Sequence, residues 1–408
     1  MATLPGEWQI FNACIAYHSN DGRMDLVTIN GDHAIATPWP PHYLEGDTQL
    51  HKSRRRKHET ISNWEAFPRT LHTVPAVVAV GTSDNLFHML FHAIPSREHF
   101  SRLNLPEAVH FLPRYVDHWP GYLRGGKASM VNTLPVSQWV GWELLMRSLL
   151  PDAAITSAMQ TTQSLVLPER LQCYSSIVGG HGPFWPSVFN RTELFAAVGR
   201  VALFRQSVLA NMGLLAKSAS SRGLAHSHRI VFALRRVERC IVNMHEVITN
   251  VSKDESLAAT VDFVDLSLLP LRKQIKRVAS ASGLVGVHGA ALSFVVFLQA
   301  RGTALLEIVP SAMMKTNSHS HLDYDRWAGM NDVRHFRLVQ PDSPGCKGVY
   351  FRTCGNISAD TSLVAGLRFI TDFLSSPEAD KGAQLLERSQ PCKYLRRRPG
   401  GDGTLKCV

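Results

Sequence analysis

The 408-residue sequence has no Cys-x-x-Cys pair, which removes the commonest structural zinc signature. It also lacks a run long and apolar enough to span a bilayer. Its most apolar stretch, Leu284 to Leu298, is interrupted by Gly286, His288 and Gly289. The opening residues show neither the basic start nor the sustained apolar core of a secretory leader. There is no internal repeat and no extended low-complexity segment. Acidic residues are in deficit: 33 Asp and Glu stand against 43 Lys and Arg, a formal net charge of +10. Such an excess favours anionic partners, whether nucleic acid, acidic membrane or phosphorylated ligands. The two basic runs, Arg54-Arg55-Arg56-Lys57 and Arg396-Arg397-Arg398, have no aromatic interleaving, and no zinc-finger or RNP pattern accompanies them. They read as solvated loops, so nucleic-acid binding ranks third among the functional readings.

Seven cysteines are present, and an odd number leaves one unpaired within a monomer. Cys346 and Cys354 flank a Val-Tyr-Phe run and fit a hairpin disulfide, and Cys392 with Cys407 could close the tail. Scattered thiols are the equal alternative. Three Asn-x-Ser/Thr sequons, at Asn190, Asn250 and Asn356, permit a secretory location without requiring one.

Hydrophobic residues make up 45% of the chain and charged residues 19%, enough apolar material for two cores. Residues 1–75 read as an irregular or β-rich entry segment. A first α/β domain is expected over 76–216. It begins with a strand at Val74 to Val80 and a helix at Asn85 to Ile94. A strand at Ala108 to Leu112, a helix at Trp139 to Leu150, a strand at Ser164 to Leu167 and a long helix at Thr192 to Gly213 follow. Gly179-Gly180-His181-Gly182-Pro183 looks like an irregular loop. The polar, small-residue stretch 217–228 reads as a linker. A second α/β domain, 229–375, shows strands at Arg229 to Leu234, Thr260 to Leu266, Leu284 to Val287 and Ala304 to Val309. Helices at Glu238 to Thr249, Leu271 to Ser280 and Ala290 to Gln299 separate them. That alternation implies a mostly parallel sheet. The basic tail, 376–408, is expected to be loose.

Ligands of parallel sheets bind beyond the carboxyl ends of the strands, so residues just after each strand are site candidates. His288 and Gly289 form the turn after one strand. Gly289 lets a ligand approach the backbone, and a helix start at Ala290 offers free N–H groups to a phosphate. Arg235 closes another strand, and Arg239 and Asn243, four apart, share a helical face in this reading. Guanidinium groups there suit a pyrophosphate. Glu307, near the end of an apolar strand, could accept from ribose hydroxyls. Asp84 and Asn85 cap a helix that carries His88 and His92 on one face, where an imidazole could act as general base. No Glu beside His88 completes a zinc signature. Asp323-Tyr-Asp325 matches the manganese-binding Asp-x-Asp pattern of some sugar transferases. Helix capping is favoured there over Mn2+, and no metal is assigned. Each feature also has a plainer reading as a cap, a solvated charge or a packed histidine.

Taken together, these segments resemble glycosyltransferase family 61. Its members include EGF-domain O-GlcNAc transferases, protein O-mannose β-1,4-N-acetylglucosaminyltransferases and plant xylosyltransferases. Val-His-Gly-Ala-Ala-Leu at 287–292 is similar to the family's Gly-x-His-Gly-Ala-x-Leu element. Arg235, Arg239 and Asn243 match its Arg-x-x-x-Arg-x-x-x-Asn spacing, and Asn85 with His88 its Asn-x-x-His element. The resemblance implies a GT-B fold of two Rossmann-like domains facing a cleft. It implies an inverting transfer of GlcNAc or a pentose from a UDP-sugar to a hydroxyl of a glycoprotein or polysaccharide. Asn85, Arg235, Arg239, Asn243, His288, Gly289, Ala290 and Glu307 would then bind the donor, and His88 or His92 would serve catalysis. It also implies the endoplasmic reticulum or Golgi lumen. With no leader visible, a truncated chain is the expectation and a cytosolic form the alternative. His92 stands where the family often has an acidic residue, which favours, as second reading, a catalytically inactive nucleotide-sugar or glycan binder.

Overall fold

The computed structural model divides into two compact units, Met1–Trp185 and Pro186–Val408. In the first it describes residues 7–18, 23–30, 33–37, 59–60, 69–72, 76–81, 90, 94, 110–115, 145 and 171–180. In the second it describes residues 191–215, 228–235, 239–314, 323–341, 357–377, 379, 394–397 and 405–407.

The first unit is a mixed eight-stranded sheet. Its strands are β1 (Glu7–His18), β2 (Arg23–Asn30), β3 (His33–Thr37), β4 (Glu59–Thr60), β5 (Arg69–His72), β6 (Ala76–Gly81), β7 (His110–Tyr115) and β8 (Leu171–Gly180). The order is β4-β3-β2-β1-β8-β6-β7, with β5 also on β8. The pairs from β4 to β8 are antiparallel, whereas β5, β6 and β7 pair in parallel. Residues 1–75 are β-rich as expected, and they supply five of the eight strands of this sheet. The domain is correspondingly not a plain Rossmann arrangement. Gly179 and Gly180, expected in a loop, end β8 opposite Trp8 and Glu7. Antiparallel register places Cys14 directly across from Cys173, and the two form a disulfide. Ala13, Val27, Leu171, Ile177 and Val178 are buried beside it. The paired thiols are thus neither of the two pairs suggested by sequence proximity. Cys346, Cys354 and Cys392 lie outside the described residues. So do the expected strand at 164–167 and most of the expected helices at 85–94 and 139–150, of which Leu90, Ile94 and Leu145 are helical and buried.

The second unit opens with helix α1 (Arg191–Asn211), so the division falls ahead of this helix instead of at 217–228. Of that expected linker only His228 is described. Parallel strands β9 (His228–Ala233), β10 (Ala259–Val264), β11 (Gly283–Val287), β12 (Ala304–Pro310) and β13 (Arg334–Gln340) alternate with helices α2 (Met244–Ser252), α3 (Leu271–Ala279) and α4 (Asp323–Met330). Helix α5 (Thr361–Ser375) follows. Strands β11 and β12 are buried from end to end, as a parallel sheet covered on both faces requires. On one face Ile230, Phe232, Leu306, Ile308, Phe336 and Leu338 pack with Leu363, Leu367 and Ile370 of α5 and Val247 and Val251 of α2. The segment Ala290–Phe297, expected as an α-helix, is a 3-10 helix whose residues from Leu292 onward are all buried. An apolar surface on every side makes it core. Arg205 of α1 is tied to it: Nη1 donates to Leu298 O and to Asn331 Oδ1, each at 2.7 Å.

The expected loose tail contributes two strands. β14 (Tyr394–Arg397) runs parallel to β13, and β15 (Leu405–Cys407) runs antiparallel to β14. Arg396 and Arg397 therefore lie in a strand, paired with Lys406 and Leu405 of β15, rather than in a solvated loop. No described helix is long and apolar enough to cross a membrane.

Candidate functional site

The strand order of the second unit is β10-β9-β11-β12-β13-β14-β15. The chain leaves β9 for β10 on one side, then crosses back to β11 on the other. The topological switch point, where open parallel sheets bind ligands, thus lies between the carboxyl ends of β9 and β11. Arg235 stands two residues beyond β9, and His288 directly follows β11.

These two ends converge on Gly289. A Cβ built there would overlap Nη1 of Arg235, lie 3.1 Å from its Cζ and 3.3 Å from Nη1 of Arg239. Nη1 of Arg239 also donates to the carbonyl oxygen of His288 at 3.1 Å. Only a residue without a side chain fits, and its φ of 157° is one that L-residues rarely adopt. Ala290 opens the 3-10 helix, where Leu292 N donates back to Gly289 O at 2.9 Å. Two guanidinium groups, an imidazole and a helix start are therefore gathered at one glycine. Such a set can hold a diphosphate and neutralise the charge that develops when it departs.

Arg239 does not reach this place from a helix. Its φ is 55°, in the left-handed region, and residues 236–238 are outside the described set. Ile241 then makes a bridge with Ile357, and α2 starts only at Met244. The expected shared helical face of Arg239 and Asn243 is absent for that reason. Asn243 does other work. Its Nδ2 donates to Ala359 O, and its Oδ1 accepts from Ala359 N, both at 2.8 Å. It clamps the segment leading into α5.

Glu307 also departs from expectation. It is fully buried, with both oxygens committed. Oε1 accepts from Nδ1 of His288. Oε2 accepts from Nε2 of His335 at 2.9 Å and from Nε of Arg337 at 3.0 Å. A ribose has no access to it. The sheet explains the grouping: Glu307 is in register with Gly286 on β11 and Arg337 on β13. His335 lies two residues before Arg337 and so shares its face. Leu306 and Ile308 point to the α5 side, leaving Glu307 for the side covered by α4. From α4, Asp325 accepts from Nδ1 of His335 and, at 2.6 Å, from Nη2 of Arg337. Asp325, half-buried, is thus part of an ion cluster rather than a simple cap. No group of ligating side chains suited to a metal occurs among the described residues.

Buried Glu307, His335 and Arg337 and half-buried Asp325 offset one another's desolvation. Burial pushes the Glu307 carboxyl upward, but hydrogen bonds from His288 and His335 outweigh it and hold the group well below the usual range. Burial likewise raises Asp325, and the charges of His335 and Arg337 bring it below its ordinary value. For His335 the balance is reversed: burial lowers it, and Asp325 and Glu307 raise it by more. The ring of His288 rests edge-on against Tyr324, with centroids 5.0 Å apart at 76°.

Of the residues picked from sequence, the structure brings together Arg235, Arg239, His288, Gly289 and Ala290. Asn85, His88 and His92 lie outside the described residues. Sequence reasoning missed His335 and Arg337, and it singled out Asp325 as a helix-capping carboxylate without these partners. The available signal was the placing of His335 and Arg337 at alternate positions of a strand in a sheet covered on both faces.

A family model described as Glycosyltransferase 61 matches residues 86–306, just over half of the chain. No curated protein matches. Among solved structures, the glycosyltransferase SnogD from Streptomyces nogalater is similar, with 12% identity and a TM-score of 0.23. The comparison covers 78% of this chain and 100% of that one, a likeness too slight to bear on the site.

Proposed function

We propose, on the premise that the chain belongs to glycosyltransferase family 61 and is a glycosyltransferase, that it moves GlcNAc or a pentose from a UDP-sugar to a hydroxyl of a glycoprotein or glycan, with inversion. The single observation that carries the donor assignment is the convergence of Arg235 and Arg239 on Gly289, beside His288, at the sheet's switch point. The guanidinium groups and the N–H groups at the start of the 3-10 helix hold the diphosphate. His288, oriented by Glu307, presents its Nε2 side toward the leaving oxygen. Inversion also needs a base on the acceptor hydroxyl. By family resemblance that role falls to His88 or His92, with Asn85 at the same helix start. No metal is required where fixed cations supply the charge.

The acceptor is met in the lumen of the endoplasmic reticulum or Golgi. The Cys14–Cys173 disulfide supports an oxidising compartment, because cytosolic thiols are kept reduced.

The test is calorimetry with UDP. The intact protein binds it, and Arg235→Ala weakens binding by about 2–3 kcal/mol, the worth of a charge-assisted bond whose anion is left unmatched. Equal affinities for the two proteins would remove Arg235 from the donor seat. UDP release from a panel of UDP-sugars, each with candidate hydroxyl acceptors, then identifies the sugar.

A further inference from the structure

Both ring nitrogens of His335 face carboxylates. Nδ1 meets Asp325 Oδ1 on α4, and Nε2 lies 2.9 Å from Glu307 Oε2 on β12. An ionised carboxylate only accepts, so two such partners require an N–H on each nitrogen, which is the imidazolium form. The side chain is 7% exposed, so solvent cannot serve in place of either partner. The other charged group in contact is Arg337, two residues along the same strand. It bonds the second oxygen of Asp325 at 2.6 Å and Oε2 of Glu307 at 3.0 Å. Four ions thus form a closed ring, Glu307 and Asp325 alternating with His335 and Arg337. Toward the switch point the ring extends through Glu307 Oε1, bonded to Nδ1 of His288.

We propose that His335 is a positioning residue for sugar transfer: as a doubly protonated ring between Asp325 and Glu307, it fixes Glu307, and Glu307 in turn fixes His288 with its proton on Nδ1. The inference rests on the reading of His288 as part of the donor seat. Of the two cations, Arg337 stays charged, so His335 is the one whose proton release loosens the site as pH rises, whereas protonation of Glu307 or Asp325 does so on the acid side. A single carboxylate oxygen shared by His335 and Arg337 leaves Glu307 no freedom to rotate. The imidazole of His288 then has one orientation, with Nε2 as the nitrogen on the side away from the ring of ions. Preorganisation of this kind is what a transition-state seat needs, since a misplacement of an ångström is costly.

The test uses the full chain labelled with 15N-histidine and two-bond 1H–15N correlation spectra, which report which ring nitrogens carry protons. His288→Gln and His335→Gln assign the two signals. The expected result is a His335 signal with both nitrogens protonated at pH 7 and a His288 signal with a protonated Nδ1. In His335→Gln the His288 signal becomes a mixture of the two tautomers. Asp325→Asn, which preserves shape, serves if the Gln variant folds poorly. There His335 loses its second proton at a pH at least one unit lower than in the intact chain. A His335 with one bare nitrogen at pH 7, or a His288 signal unchanged in both variants, overturns the assignment. UDP titration of the same samples separates the two readings. His335→Gln lowers UDP affinity three- to tenfold if His288 belongs to the seat. An intact chain that binds no UDP defeats the donor seat alone, because the spectra are read without ligand.

Discussion

The guanidinium of Arg239 donates from Nη1 to the carbonyl oxygen of His288 at 3.1 Å. This bond links the segment after β9 to the turn after β11 across the switch point. It holds two neighbouring strand ends at one spacing, and it does so with a residue whose φ of 55° is unfavourable for a long side chain.

That strain gives a separable prediction. Arg239→Gly relieves the backbone and deletes the guanidinium at once. Thermal stability should be unchanged or should rise, by up to about 1 kcal/mol. UDP affinity should fall by about 1.5–3 kcal/mol. Calorimetry and a thermal melt read the two effects, and a variant that binds UDP normally would remove Arg239 from the donor seat.

Gly289→Ala should fail in a different way. The added Cβ overlaps Arg235 Nη1, so the Arg235 side chain must move away. UDP affinity is expected to drop at least tenfold. Folding stability should fall by about 1–3 kcal/mol from the forced backbone. Wild-type UDP binding in this variant would place the ligand elsewhere.

Asn243→Ala tests the reassignment of that residue. Its amide clamps Ala359 through two hydrogen bonds, so truncation leaves Ala359's backbone groups without those partners. Stability should fall by about 1–3 kcal/mol, with UDP affinity unchanged. A chemical-denaturation curve with a parallel titration distinguishes this from a role in donor binding.

The ion ring makes stability depend on pH from both sides. Glu307 and Asp325 are held below their ordinary values, so their contribution is present above about pH 4 and fades as pH drops further. His335 is raised, so its contribution is full below about pH 6.5 and is lost as pH climbs through the raised value. The melting temperature should therefore be highest between about pH 4.5 and 6.5. His335→Gln should abolish the decline on the alkaline side while keeping the acid limb. A melt series across pH on both proteins decides this.

The second unit was legible because its strands are short apolar runs divided by helices of ordinary length. The runs at Arg229 to Leu234 and Ala304 to Val309 match β9 and β12 within a residue. The turn at His288-Gly289 was legible for the same reason: a strand that ends at a glycine leaves few places for the next residues to go. Helix periodicity misled around Arg239 and Asn243, where a left-handed residue and the bridge from Ile241 to Ile357 override local propensity. Glu307 was placed at the right strand but given the wrong partner, because its neighbours His335 and Arg337 lie about 30 residues on in sequence. Nothing short-range announces a contact of that span. The same holds for Cys14 and Cys173, 159 residues apart, where only the nearer pairs Cys346–Cys354 and Cys392–Cys407 offered a sequence signal, weighed equally against free thiols.

The separation of 159 residues between Cys14 and Cys173 has a consequence for biosynthesis. Strand β1 emerges from the ribosome long before β8, its antiparallel neighbour. At ordinary elongation rates of about 5–20 residues per second, the delay is roughly 10–30 s. Throughout that interval the thiol of Cys14 has no native mate, and the edge of β1 that β8 will occupy is bare. Any coupling of Cys14 made before translation delivers Cys173 is therefore non-native and must be undone before β1 and β8 can pair as they do in the folded chain.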